Sequence, residues 1–79
     1  MNKPTFKAGK YQHYKGNEYL LIDVVRHSET DEYLVLYKPL YGEGELWVRP
    51  FNMFFESVNV AGKLQPRFKY LGPESELNA

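Results

Sequence analysis

Residues 18–39 read EYLLIDVVRHSETDEYLVLYKP, and this stretch decides the fold. Two runs rich in aliphatic, β-branched and aromatic residues flank the polar segment 28–32, which is typical of a β-hairpin with a polar tip. Alternation along the first run predicts Leu20, Ile22 and Val24 on one face of a strand. The opposite face is also partly apolar, so we expect this strand to be central in its sheet.

The second run continues the same pattern. Tyr33, Val35 and Tyr37 are predicted to share one face of a strand. Pro39 has no backbone N–H to donate, so we expect it to end or bend that strand.

Short strand patterns lie on both sides of this hairpin, at residues 9–14, 46–49, 57–60 and 66–71. Between them, Pro50 suits the start of a helix, and Phe51, Phe54 and Phe55 follow at helical spacing. The sequence therefore predicts an all-β, mainly antiparallel fold: a small SH3-like barrel of five to six short strands with one short helical turn. An OB-type barrel is disfavoured because its helix needs more residues.

The chain of 79 residues has room for one domain. We expect residues 1–8 to be an N-terminal arm, residues 9–71 a single small β-barrel domain and residues 72–79 a flexible tail. Without cysteine, the core must hold the fold alone, and the aromatic content of 16% supplies large side chains for it.

The formal net charge is zero, with ten basic and ten acidic residues. This balance argues against an extended polyanion-binding surface, although the first 28 residues are net basic and a local patch is possible. No stretch is apolar enough for a secretory signal or a membrane span. We therefore expect a cytoplasmic protein with no membrane partner.

Three strings occur together in this chain: GKYQHYKGN at residues 9–17, RHSET at 26–30 and LYG through LWVRP at 40–50. With Met53-Phe54 and Pro66-Arg67-Phe68, they resemble the small bacterial family called domain of unknown function 1653, over about residues 9–70. The resemblance implies a compact bacterial domain without an assigned activity. It also implies a set of characteristic polar residues without roles: His13, His27, Ser28, Glu29, Thr30, Trp47, Arg49 and Arg67.

Trp47 and Arg49 are two residues apart and should lie on the same face of a strand. Leu46 and Val48 would then face the core, leaving an indole and a guanidinium on the outer face, where Tyr11, Tyr37 or Tyr41 could join them. The competing interpretation places Trp47 in the core and pairs Arg49 with Glu56 or a hairpin acid.

The run Arg26, His27, Ser28, Glu29 and Thr30 is dense in hydrogen-bonding groups at a hairpin tip. It is either a polar recognition site, in which Arg26 binds a carboxylate or phosphate, or a turn whose side chains satisfy its own backbone.

His13 and His27 are expected within a few residues of register, which raises the question of a metal site completed by Glu29 or Asp31. Two histidines without a fixed spacing are weak support, so we expect no metal and no cofactor. Ser28 beside His27 does not make a nucleophilic pair, because adjacent strand residues point to opposite faces.

These observations favour a non-enzymatic binding module with an aromatic and basic surface groove. The candidate ligand-binding residues are His13, Arg26, His27, Ser28, Glu29, Thr30, Tyr37, Trp47 and Arg49. A nucleic-acid or nucleotide-binding accessory domain is the first alternative, and a small enzyme using His13, His27 and Glu29 is the second. The partner would be a peptide, a protein or a nucleic acid, and the chain a monomer or weak homodimer.

Overall fold

The computed structural model describes residues 3–74. Its elements, in chain order, are β1 (Gly9–His13), β2 (Glu18–Arg26), β3 (Tyr33–Pro39), β4 (Trp47–Pro50), α1 (Phe51–Phe54), β5 (Ser57–Val60), β6 (Lys63–Pro66) and β7 (Phe68–Gly72). Five strands form one sheet in the order β4-β3-β2-β1-β7, and β5 and β6 form a separate two-stranded sheet. The predicted all-β, antiparallel class with one short helical turn is confirmed.

Two details differ from the prediction. Residues 3–74 contain seven strands, because residues 63–66 form β6 between the predicted strands at 57–60 and 66–71. The large sheet has β4 and β7 as its edges, and within the described residues no hydrogen-bonded pairing between them closes a barrel.

β2 lies at the centre of the large sheet, as predicted, because it pairs with both β1 and β3. Its register against β3 shifts between Leu21 and Asp23, which is a β-bulge. Bulges break the two-residue alternation. Leu21 and Val24 are therefore both buried in the main core, whereas Ile22 is 38% exposed. The predicted grouping of Leu20, Ile22 and Val24 on one face is wrong for this reason.

The core is built largely from aromatic rings on the inner side of the large sheet. Phe54 of α1 is fully buried and stacks on Phe68 of β7, with ring centroids 4.0 Å apart. The rings of Tyr11 and Tyr37 meet the Phe54 ring edge-on. The short helix thus packs against the open side of the bent sheet and covers it.

The first and last parts of the described segment also contact the sheet. Lys3 pairs with Asp23 at 2.8 Å, and Phe6 packs against the core. At the other end, Gly72 is buried as the last residue of β7. The predicted tail falls mostly on residues 75–79, which lie outside the described residues, and the domain limits stay predictions.

Candidate functional site

The structure divides the predicted site residues into two groups. His13, Tyr37, Trp47 and Arg49 lie on the inner side of the sheet, and five others lie at the tip of the β2–β3 hairpin: Arg26, His27, Ser28, Glu29 and Thr30. In the strand registers Trp47 lies opposite Tyr37 and Arg49 opposite Val35, whereas Arg26 lies opposite Tyr33, which is four residues from Tyr37 and two from Val35 along β3. The two groups therefore lie at different levels of the sheet, and Arg49 is the inner residue nearest the hairpin in register.

The hairpin tip satisfies its own backbone. Nδ1 of His27 accepts hydrogen bonds from the backbone N–H groups of Glu29, at 3.1 Å, and Thr30, at 3.3 Å. Oγ1 of Thr30 accepts one from the N–H of Glu32, and Asp31 has a positive φ of 64°. The side chains of His27 and Thr30 therefore accept hydrogen bonds from the turn itself, which is a structural role.

Arg26 is likewise bound within the hairpin. Its Nη2 donates to the hydroxyl of Tyr33 at 2.8 Å, and this interaction raises the pKa of Arg26. Arg26 is therefore held at Tyr33, four residues along β3 from Tyr37, the strand partner of Trp47.

His13 and His27 are at opposite ends of β2 rather than near register, because the β1–β2 turn places His13 beside the start of β2. Within residues 3–74, no group of three or more His, Cys, Asp or Glu side chains is arranged to hold a metal ion. The expected proximity of the two histidines is wrong, and the small-enzyme alternative loses its common centre.

Trp47 and Arg49 share a face, as predicted, but it is the inner face. β4 pairs with β3 so that Trp47 lies opposite Tyr37, which is buried. Directly paired residues point to the same side of a sheet. Leu46 and Val48 are 62% and 54% exposed, so the prediction that they face the core is wrong.

Trp47 combines a core contact with an open surface. Its ring centroid lies 6.0 Å from that of Tyr37 and 6.3 Å from that of Tyr19, yet 42% of the residue is exposed. Sequence reasoning treated the core and surface interpretations as alternatives. An edge-strand residue at the border of a core satisfies both.

We call the partly exposed residues around this border the aromatic rim: His13, Tyr41, Trp47 and Arg49. Arg49 is its cation. Its Nε donates to the hydroxyl of Tyr37 at 3.3 Å, and its guanidinium lies 5.7 Å from the ring centre of Phe68. Among residues 3–74, Arg49 has no ion pair, since the expected partner Glu56 pairs with Arg67 instead. A half-buried guanidinium without a carboxylate can receive an anionic group.

His13 lies beside this guanidinium. Its ring meets Phe68 edge-on at 4.9 Å, and its Nδ1 accepts from the backbone N–H of Lys15 at 3.2 Å. Burial, followed by the nearby positive charges of Arg49, Arg67 and Lys15, lowers the pKa of His13. The imidazole is therefore neutral at pH 7, and because Nδ1 accepts, Nε2 carries the proton and can donate.

Tyr19 forms the floor of the rim and was missed by sequence reasoning. Its hydroxyl is 2.9 Å from that of Tyr41, and burial, with the Tyr41 hydrogen bond, raises the pKa of Tyr19 to about 12. The Tyr19 hydroxyl thus stays protonated at neutral pH. Only the register that puts Tyr19 opposite Pro39 brings it beside Tyr41, and the sequence does not state that register.

No helix within residues 3–74 has the length and apolar character needed to cross a membrane.

Comparison with known proteins identifies the family of this chain. Residues 9–70 match the family described as "Protein of unknown function (DUF1653)". The fold is similar to the crystal structure of a DUF1653 protein from Bordetella bronchiseptica, with a TM-score of 0.79 and 38% identity. That similarity covers 86% of this chain and 90% of the other. The search of curated proteins gave no significant match. The family match takes in β1 to β6 and most of β7, and the chain belongs to the DUF1653 family.

Proposed function

We propose that this chain is a non-enzymatic binding module that holds an extended peptide segment of a partner protein against the aromatic rim. The observation that carries the proposal is Arg49, a half-buried guanidinium oriented by Tyr37 and Phe68 and, within residues 3–74, without an ion pair. Aromatic and arginine side chains at the border of a core are the groups that dominate protein recognition. An acidic side chain of the peptide would pair with Arg49.

A peptide suits this surface better than a nucleic acid. Glu43 and Glu45 follow Tyr41 in the loop before Trp47 and would repel a phosphate backbone running along the rim. The chain as a whole has a formal net charge of zero. Single-stranded nucleic acid remains the second candidate, because Trp47 and Arg49 can stack on a base.

The SH3-like arrangement, the bacterial origin and the cytoplasmic location that we propose have separate support. An SH3-like arrangement is favoured by the strong bend of the sheet, which places Arg49 of edge strand β4 over Phe68 of edge strand β7. The bacterial relative supports a bacterial protein, and the lack of cysteine suits a reducing compartment such as the cytoplasm.

The test is a selection from a phage-displayed random heptapeptide library against the full chain, followed by affinity measurements on the enriched peptides. Arg49→Gln should weaken binding by about tenfold or more, because a charge-assisted hydrogen bond is lost. Arg26→Gln is the matched control, since it makes the same change at an arginine that is bound to Tyr33 beside the hairpin tip, and it should alter affinity by less than about twofold.

Peptides that bind wild type and Arg49→Gln equally would overturn the assignment of the site. The nucleic-acid candidate is tested by fluorescence anisotropy of a labelled single-stranded oligothymidylate between about 50 and 200 mM salt. A steep loss of affinity with salt, together with a failed peptide selection, would replace the peptide proposal with the nucleic-acid one.

A further inference from the structure

A small cavity of about 220 Å³ lies between the end of β3 and the start of β4. We call it the loop pocket. Two aromatic side chains line it, Tyr41 and Trp47, together with Pro39 and the carboxylate-bearing residues Glu43 and Glu45. The cavity is separate from the guanidinium of Arg49, which is not among its lining residues.

The aromatic walls of the loop pocket are fixed from below. The rings of Tyr41 and Trp47 lie 5.7 Å and 6.3 Å from the ring of Tyr19, which is only 8% exposed. The hydroxyls of Tyr41 and Tyr19 are 2.9 Å apart, and that hydrogen bond orients the Tyr41 ring. Tyr41 and Trp47 are nevertheless 45% and 42% exposed, so the rings are accessible to a ligand.

The charge around the loop pocket has a single sign. Its lining contains two glutamates and no Lys, Arg or His. Neither Glu43 nor Glu45 belongs to an ion pair within the described part of the chain. Gly42 and Gly44 have φ values of 63° and 68°, a region that favours glycine, and they give the loop its folded course beside the rings. A cation is the ligand charge that complements this lining.

We propose that the loop pocket binds an alkylated ammonium group, as carried by a methylated lysine side chain or a free quaternary amine. Ring faces attract a cation through their quadrupole, and tryptophan does so most strongly. Alkyl groups on the nitrogen match the apolar walls and lower the cost of leaving water, which a bare ammonium pays in full. The carboxylates supply the opposite charge at the same cavity. Arg49 is not required, so this proposal and the peptide proposal can fail separately.

The test compares choline with its neutral isostere 3,3-dimethylbutan-1-ol, which has the same shape without the charge. Each is titrated into the ¹⁵N-labelled full chain and followed by the indole N–H of Trp47 and the amides of Gly42 and Gly44. We expect saturable shifts with choline and affinity at least about tenfold weaker for the alcohol. Equal affinities, or choline shifts confined to other parts of the chain, would overturn the proposal.

Variants locate the site. Tyr41→Phe keeps the ring and should retain choline binding within about threefold, whereas Tyr41→Leu should weaken it by about tenfold. The double change Glu43→Gln with Glu45→Gln alters only exposed carboxylates and should also weaken binding. Its matched control is Glu29→Gln at the other hairpin tip, which should have no effect. An unchanged affinity in the double variant would contradict the charge argument even if Tyr41→Leu fails to fold.

One further titration distinguishes a methylated lysine from a free amine as the ligand, and another tests whether the loop pocket is independent of the peptide site at Arg49. If N-acetyl-trimethyllysine amide binds at least as tightly as choline, the natural ligand is assigned to a protein side chain, and if choline alone binds, to a free amine. Arg49→Gln should leave choline affinity within about twofold of wild type. A loss of choline binding in that variant would contradict a pocket independent of Arg49.

Discussion

Phe54 anchors the core beneath the aromatic rim, and its removal is the sharpest test of how the fold is held. The residue is fully buried, stacks on Phe68 at 4.0 Å and meets Tyr11 and Tyr37 edge-on at 5.4 Å and 5.3 Å. Truncation of a buried phenylalanine to alanine costs about 3–5 kcal/mol. Rigid rings on three sides cannot collapse into the space, so we expect Phe54→Ala to fall in the upper part of that range.

That loss is large beside the total stability. At about 0.05–0.15 kcal/mol per residue, a 79-residue domain is stabilised by roughly 4–12 kcal/mol. Urea unfolding followed by circular dichroism measures the change. Met53→Ala is the matched control on the same helix, because Met53 is 45% exposed, and it should cost less than about 1 kcal/mol. A Phe54→Ala cost below about 1.5 kcal/mol, or equal to that of Met53→Ala, would refute this account of the core.

Three further predictions concern backbone fit and pH. Gly9→Ala should destabilise by at least about 1 kcal/mol more than Gly16→Ala in urea melts: both have positive φ, but only at Gly9 would a Cβ overlap the carbonyl oxygen of Gly72. Because the pKa of His13 is lowered in the folded protein, the unfolded chain binds the proton first as pH falls, and Tm should drop once the pH is below the ordinary pKa of 6.5. Calorimetry of His13→Gln should show a flatter dependence of Tm on pH. A dependence as steep as that of wild type would contradict this assignment. Burial raises the pKa of Tyr11 from 10.0 to about 12, so stability is full below pH 10 and declines towards pH 12, and Tyr11→Phe should lessen the alkaline loss of Tm.

The fold class followed from the sequence because it depends on local signals. The apolar runs around residues 28–32, the strand-ending Pro39 and the phenylalanine spacing after Pro50 each predicted the element that the structure shows. The face of the sheet on which each β2 side chain lies was harder to predict. The bulge at Ile22 inverts the alternation of β2, and no residue type there announces it.

The candidate site was predicted by residue type but not by position. Trp47 and Arg49 were correctly paired on one face, yet β4 is a four-residue edge strand, and apolar residues at such an edge do not show which face is inner. The position of Arg26 and His27 relative to Trp47 could not be predicted, because it depends on long-range register. Tyr19 was missed for the same reason: its contacts with Tyr41 and Trp47 are made across strands and loops far apart in sequence.

The most direct test of the central claim is a ¹H–¹⁵N correlation spectrum of the full chain titrated with the best heptapeptide from the selection. If the peptide binds at the aromatic rim, the largest shifts occur at the indole N–H of Trp47, the Nε–H of Arg49 and the backbone amide of His13, and the signals of the tip residues 27–32 do not move. Largest shifts at residues 27–32, with the Trp47 and Arg49 signals unchanged, would contradict it and place recognition at the hairpin tip.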